Sequence, residues 1–127
     1  MSAYRVKEEV VGFVEVLKSK FTAFVFPATD INEFQLRLEQ IRKANPKAKH
    51  IVCAYKIGVS SKSTDDREPK GTAGRPLLEL LNKKNLSDTA IIVVRYFGGS
   101  ELGASRLLRT YVASAVIAIN KAQLIEI

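Results

Sequence analysis

Short apolar runs separated by polar breaks dominate the chain, and both the strand period and the helix period are visible. Val10, Val11, Phe13, Val14, Val16 and Leu17 form a β-prone run that ends at the turn-like Lys18-Ser19-Lys20. Phe21 to Phe26 predicts a second strand, stopped by Pro27, and the two runs are expected to pair as a hairpin. Asp30 suits a helix N-cap, because its carboxylate can accept from amides of the first turn, and Glu33 adds a capping-box-like spacing. Phe34, Leu38 and Ile41 then recur at helical period, with Arg37, Glu39, Gln40, Arg42 and Lys43 on the outer face. Asn45-Pro46 ends that helix, since the residue before proline avoids helical geometry.

A basic stretch, Lys47, Lys49 and His50, leads into a third predicted strand from Ile51 to Ile57. Gly58 to Lys70 lacks apolar residues apart from Val59 and is expected to be a long polar loop. A second helix is expected to start near Thr72 to Pro76, with Leu77, Leu78, Leu80 and Leu81 as its buried side. Ala90 to Val94 is apolar throughout, as a central strand covered on both faces would be, and Gly98-Gly99 breaks it. Leu102 to Ile119 predicts the longest helix, with Leu108, Tyr111, Val112, Ala115 and Ile119 on one face. The order β-β-α-β-loop-α-β-α predicts an α+β fold, a mixed or antiparallel sheet with helices packed on one face.

Composition changes the picture in few places. A length of 127 residues fits one domain over residues 1–127, without internal repeats. The single cysteine, Cys53, excludes an internal disulfide framework and a Cys-rich zinc set, and is compatible with a reducing cytosol. The start, Met1 to Arg5, runs straight into Lys7, Glu8 and Glu9 with no signal-like apolar region. Val112 to Ile119 is too short to cross a bilayer, so a cytoplasmic protein with no membrane partner is expected. The net charge of +7 is more informative: a basic surface attracts RNA, ribosomes and acidic protein segments.

Candidate chemistry gathers between Asp65 and Tyr111. Two glycine-rich turns, Gly71-Thr72-Ala73-Gly74-Arg75-Pro76 and Gly98-Gly99-Ser100-Glu101-Leu102-Gly103, each feed a predicted helix start. Helix starts present unpaired N–H groups, so either turn can cradle an anion; either can equally be a close-packing connection. Neither has the spacing of a phosphate-binding loop or a dinucleotide fingerprint. Lys70, Arg75, Arg95, Arg106 and Arg109 lie in or near these turns, and with Gly71, Gly74, Gly98 and Gly99 they make the candidate anion or nucleic-acid site. The same arginines can instead be a solvated face or pair with local acids. Asp65, Asp66 and Glu68 form an acidic loop that can hold a magnesium ion, serve acid–base chemistry, or pair with Arg67, Arg75 or Lys70. His50 and Cys53 stand three apart on a strand and point to opposite faces, which argues against a nucleophilic pair. No catalytic residue, metal or cofactor is therefore assigned.

Lys18-Ser19-Lys20-Phe21, His50 with Cys53-Ala54-Tyr55, Asp65-Asp66-Arg67-Glu68-Pro69, Gly71 to Pro76, Val94 to Gly99, Leu102-Gly103 and Leu107 to Tyr111 resemble, in order and spacing, the successive blocks of the IMPACT/YigZ family. The resemblance implies a fold like the second domain of a small-subunit ribosomal protein. It also implies a place in translation control: eukaryotic members modulate the starvation-response kinase, and contact with RNA or the ribosome is the usual suggestion for bacterial ones. A regulatory protein partner is the other implied class, and a metal-assisted enzyme acting on a small phosphorylated or carboxylated substrate is the alternative read from the acidic loop. The chain departs from the family pattern at Arg67, where glycine is usual, at Lys70, where serine is common, and at Ala104-Ser105-Arg106, where glycine is frequent. It stops at Ile127, so no C-terminal ferredoxin-like domain is expected.

Overall fold

A computed structural model describes residues 2–127. Strand β1 (Tyr4–Val6) is followed by β2 (Val10–Val16), β3 (Ser19–Pro27) and helix α1 (Ile31–Ala44). Then come β4 (His50–Ile57), β5 (Ser60–Thr64), α2 (Gly74–Lys83), β6 (Thr89–Tyr96), α3 (Ala104–Ile119) and β7 (Leu124–Glu126). A five-stranded sheet runs in the order β2-β3-β6-β4-β5, and β1 pairs with β7 in a two-stranded ribbon. Every strand pair within these two sheets is antiparallel, so the α+β class stands.

The expected hairpin forms between β2 and β3, with Val16 opposite Ser19. Leu17 and Lys18 make its turn, at φ 47° and 68°. Positive φ at both central residues matches the twist of paired strands. Asp30 caps α1 as expected: its Oδ1 accepts from the Glu33 amide at 2.9 Å.

Three expectations are corrected. The stretch from Gly58 to Lys70 is not all loop, because Ser60–Thr64 pairs with β4 as an edge strand. Its Ser-Ser-Lys-Ser-Thr sequence carries no hydrophobic alternation; backbone pairing with β4 supplies its order instead. The helices also do not share one face. In β6, Ile91 and Val93 point into a core under α2 and α3, while Ala90, Ile92 and Val94 point into a second core with Phe34 and Ile41 of α1. A central strand apolar at every position needs cover on both sides, and the helices divide to give it.

The buried face of α3 is the third correction. Leu107, Thr110, Tyr111, Ser114, Ala115, Ala118 and Ile119 are buried, while Leu108 lies at the surface. Small residues rather than large ones make the close contact. A Cβ on Gly12 of β2 would stand 2.2 Å from the Ser114 carbonyl oxygen and 2.6 Å from the Ala118 amide. The helix backbone thus lies directly on the strand, and its register is set by Gly12, Ser114 and Ala118. The helix begins at Ala104, after Gly103 at φ 80°, rather than at Leu102.

Candidate functional site: a basic cleft over a buried ion pair

Where β4 begins and β6 ends, a cleft of about 700 Å³ opens between the sheet and the segment after β5. Strand pairing places His50 opposite Arg95, so two polar side chains separated by much of the sequence enter one layer. Glu68 comes from the turn beyond β5 and is almost wholly buried, with its side chain 3% exposed. Arg95 Nη1 donates to Glu68 Oε2 at 2.6 Å, and the Tyr111 hydroxyl donates to the same oxygen. His50 Nε2 lies 3.5 Å from Glu68 Oε1, while its Nδ1 donates to the Asp66 carbonyl at 2.6 Å. A carbonyl accepts only, so the tautomer at Nδ1 is decided by that bond.

Around this ion pair the supports are mixed polar and aromatic. Arg95 Nη2 donates to Ser19 Oγ at 3.4 Å, and Ser19 Oγ also accepts from the Gly98 amide at 3.1 Å. The Arg95 guanidinium lies 5.4 Å from the Phe21 ring centre and 5.8 Å from that of Phe97. Phe21 in turn meets Tyr111 edge-on at 5.0 Å. Burial, then the hydrogen bond to Glu68, pushes the Tyr111 hydroxyl well above the usual phenol range. It therefore remains a donor throughout ordinary pH.

The acidic loop is used internally. Asp65 Oδ2 accepts from the Gly71 amide at 2.9 Å, and its Oδ1 accepts from Ala73 and Gly74 at 3.1 and 2.8 Å. One carboxylate thus occupies the first glycine-rich turn and the start of α2, where an external anion was the alternative. Asp66 Oδ2 accepts from the Ile51 amide at 2.7 Å and so extends the ladder past the end of β5. Among the described residues no group of three or more His, Cys, Asp or Glu side chains is arranged to hold a metal ion. Asp65→Ala is expected to cost about 1–2 kcal/mol, the upper range for losing a cap. Urea unfolding at neutral pH checks it; an unchanged midpoint would show that the α2 start needs no internal carboxylate.

The second glycine-rich turn is a close approach. A Cβ on Gly98 would fall 2.2 Å from the Lys18 carbonyl carbon, against the β2–β3 turn. Gly99, at φ 98°, takes the chain through the left-handed region beside it.

The cationic candidates scatter. Arg95 and Glu68 line the cleft, but Lys70, Arg75, Arg106 and Arg109 do not. Arg75 reaches Glu79 at 3.3 Å on an exposed face, and Arg109 donates to Ser105 Oγ at 2.8 Å. Lys47, Lys49, Arg67 and Phe97 line the cleft instead, together with Glu101. Lys49 Nζ sits 5.9 Å from the Phe97 ring centre. None of Lys47, Lys49 and Arg67 is in a salt bridge among the described residues. Arg67 holds φ 68°, a conformation that costs a non-glycine residue about 1–2 kcal/mol. Glycine would adopt this left-handed backbone without that cost.

The profile described as the Impact N-terminal domain matches residues 17–119. The chain belongs to the Impact N-terminal domain family. Among curated relatives of the family, it is 38% identical to IMPACT family member YvyE of Bacillus subtilis over 98% of its own length and 59% of that protein's. It is 32% identical to IMPACT family member YigZ of Escherichia coli, over 76% of this chain and 50% of that one. The chain thus spans between half and three-fifths of these relatives. A crystal structure of a hypothetical protein superposes with a TM-score of 0.94 at 27% identity, covering 99% of this chain and 64% of the other. The antiparallel sheet and its helices are therefore a fold that this chain shares with that protein. No helix among the described residues is long and apolar enough to cross a membrane.

Proposed function

We propose that this domain is a binding module that takes the phosphate backbone of RNA, free or on the ribosomal surface, in the basic cleft, and that it serves translation-related regulation in the cytoplasm. The observation that supports it most is the division of labour among the charges. Glu68 is held within the protein by Arg95, Tyr111 and His50, while Lys47, Lys49 and Arg67 stand exposed at the rim without ion-pair partners among the described residues. Phosphate is the natural counter-charge for such a set. The glycine turns act on this reading as scaffolding, one closed by Asp65 and one packed on the β2–β3 turn. Asp65 and Asp66 are committed to backbone amides, which disfavours the metal-assisted alternative.

Neutralising phosphates releases condensed counterions, so binding must weaken with salt. With three rim cations engaged, single-stranded RNA affinity should fall roughly twentyfold between 50 and 200 mM salt, from a slope of about −0.7 per phosphate. Fluorescence anisotropy of a labelled oligouridine at the two ionic strengths measures it. Salt-independent binding, or none, rules the reading out.

A further inference from the structure

A second concavity, of about 510 Å³, lies on the α1 side of the sheet and shares no lining residue with the basic cleft. Phe34, Leu38 and Cys53 supply its apolar lining, and Arg42 and Lys62 bring positive charge to it. Glu39, also at this site, is drawn to Lys43 at 3.1 Å. Neither Arg42 nor Lys62 is in a salt bridge among the described residues. Burial pushes the Cys53 thiol up to about 11, against a smaller opposing pull from Lys62 and Arg42. The raised thiol makes Cys53 a packing group rather than a nucleophile.

The strand beside this pocket is an edge. β5 closes the sheet on this side, and Thr64 and Lys62 pair with Cys53 and Tyr55, so their side chains share the α1 face. Gly58-Val59 is a two-residue turn, which makes Ile57 and Ser60 a hydrogen-bonded pair and turns the backbone of Ser61 and Ser63 outward. Those outward groups have no partner among the described residues. α2 packs against β5, and Gly74 closes on Thr64 at its end.

From an open strand edge, a pocket part-lined by apolar side chains and two unpaired cations, we infer that β5 and the α1 pocket form a docking surface for an extended acidic peptide of a partner protein, which adds a strand along β5 and inserts one apolar side chain over Phe34, Leu38 and Cys53. Main-chain hydrogen bonds to Ser61 and Ser63 supply affinity, as in other strand-addition modes, and the pocket reads the side chain next to the edge. Acidic residues flanking the anchor meet Arg42 and Lys62, and like-charged peptides are repelled. The surface is independent of the RNA cleft.

Selection of a random peptide display library on the full chain tests this. Enriched peptides should carry an aliphatic or aromatic residue flanked by Asp or Glu. A synthetic copy of one should bind with affinity reduced roughly tenfold or more by Lys62→Glu with Arg42→Glu, exposed substitutions under which the domain still unfolds cooperatively on heating. In ¹⁵N spectra, the Ser61 and Ser63 amides should shift and exchange more slowly on binding. Failure to enrich any peptide overturns the inference. So does an enriched peptide that ignores the double substitution, or one displaced by Lys49→Glu, which places it in the basic cleft. Loss of oligouridine binding in the Arg42 and Lys62 variant would make this a nucleic-acid surface and equally overturn it.

Discussion

Arg95→Met is expected to destabilise the domain by about 3–5 kcal/mol, the range for removing one partner of a buried ion pair. The guanidinium and the Glu68 carboxylate are both almost fully enclosed, with side chains 5% and 3% exposed. Deleting the cation leaves a carboxylate in the interior with Tyr111 and His50 as its remaining contacts. The loss of Nη2 from Ser19 loosens the tie between the β2–β3 turn and Gly98 as well. Replacing both members, Arg95→Met with Glu68→Met, should recover much of the loss, because the interior then holds no unpaired charge. Urea unfolding of wild type, single and double variants measures the set. A single-variant loss below about 1 kcal/mol would mean that water reaches Glu68 and that the pair acts like a surface one.

The largest effect on binding is expected from removing the rim cations. Lys47→Glu, Lys49→Glu and Arg67→Gly together should weaken oligouridine binding by roughly a hundredfold at 0.1 M salt, if each cation neutralises one phosphate. All three side chains are exposed, so stability should change by no more than about 0.5 kcal/mol per charge reversal. Glycine at position 67 also relieves the positive φ, which offsets part of that change. Anisotropy and urea melts on the same preparations separate the two effects. Undiminished affinity with an intact fold would move the RNA contact elsewhere on the basic surface, and Arg106 and Arg109 would be the next cations to test.

Local signals were the legible part of this chain. The strand runs at Val10 and Phe21, the Asp30 cap, the helical period through Ile41 and the apolar run at Ala90 all correspond to observed elements. Each depends on neighbours in sequence, as period and capping do. Pairing is different. Ser60–Thr64 is a strand because β4 lies beside it, and His50 meets Arg95 because β4 and β6 share a register. Nothing in either segment alone carries that information.

The same distinction explains the site. The Asp65 to Tyr111 block drew attention to Glu68 and Arg95, and both line the cleft. Arg106 and Arg109 looked equivalent to Arg95 by type, yet a helix face and a strand end bring them to different surroundings. Lys47 and Lys49 were visible only as a basic stretch ahead of a strand. Their position at the rim follows from where β4 starts relative to the end of β6, as the bond from the Lys49 amide to the Arg95 carbonyl at 2.8 Å shows.

The place of β6 in the sheet also has a kinetic consequence. β3 and β4 do not touch as sheet neighbours; each pairs with β6, a strand that follows both in sequence. During synthesis the hairpins β2–β3 and β4–β5 can close early, but they remain two separate ribbons with apolar edges until residues 89–96 emerge between them. Closure then joins partners far apart along the chain, and loop entropy makes such a step slow. The nascent domain thus passes through a period in which two unfinished sheet edges wait for one late strand, and its folding is completed by insertion rather than by growth from an end.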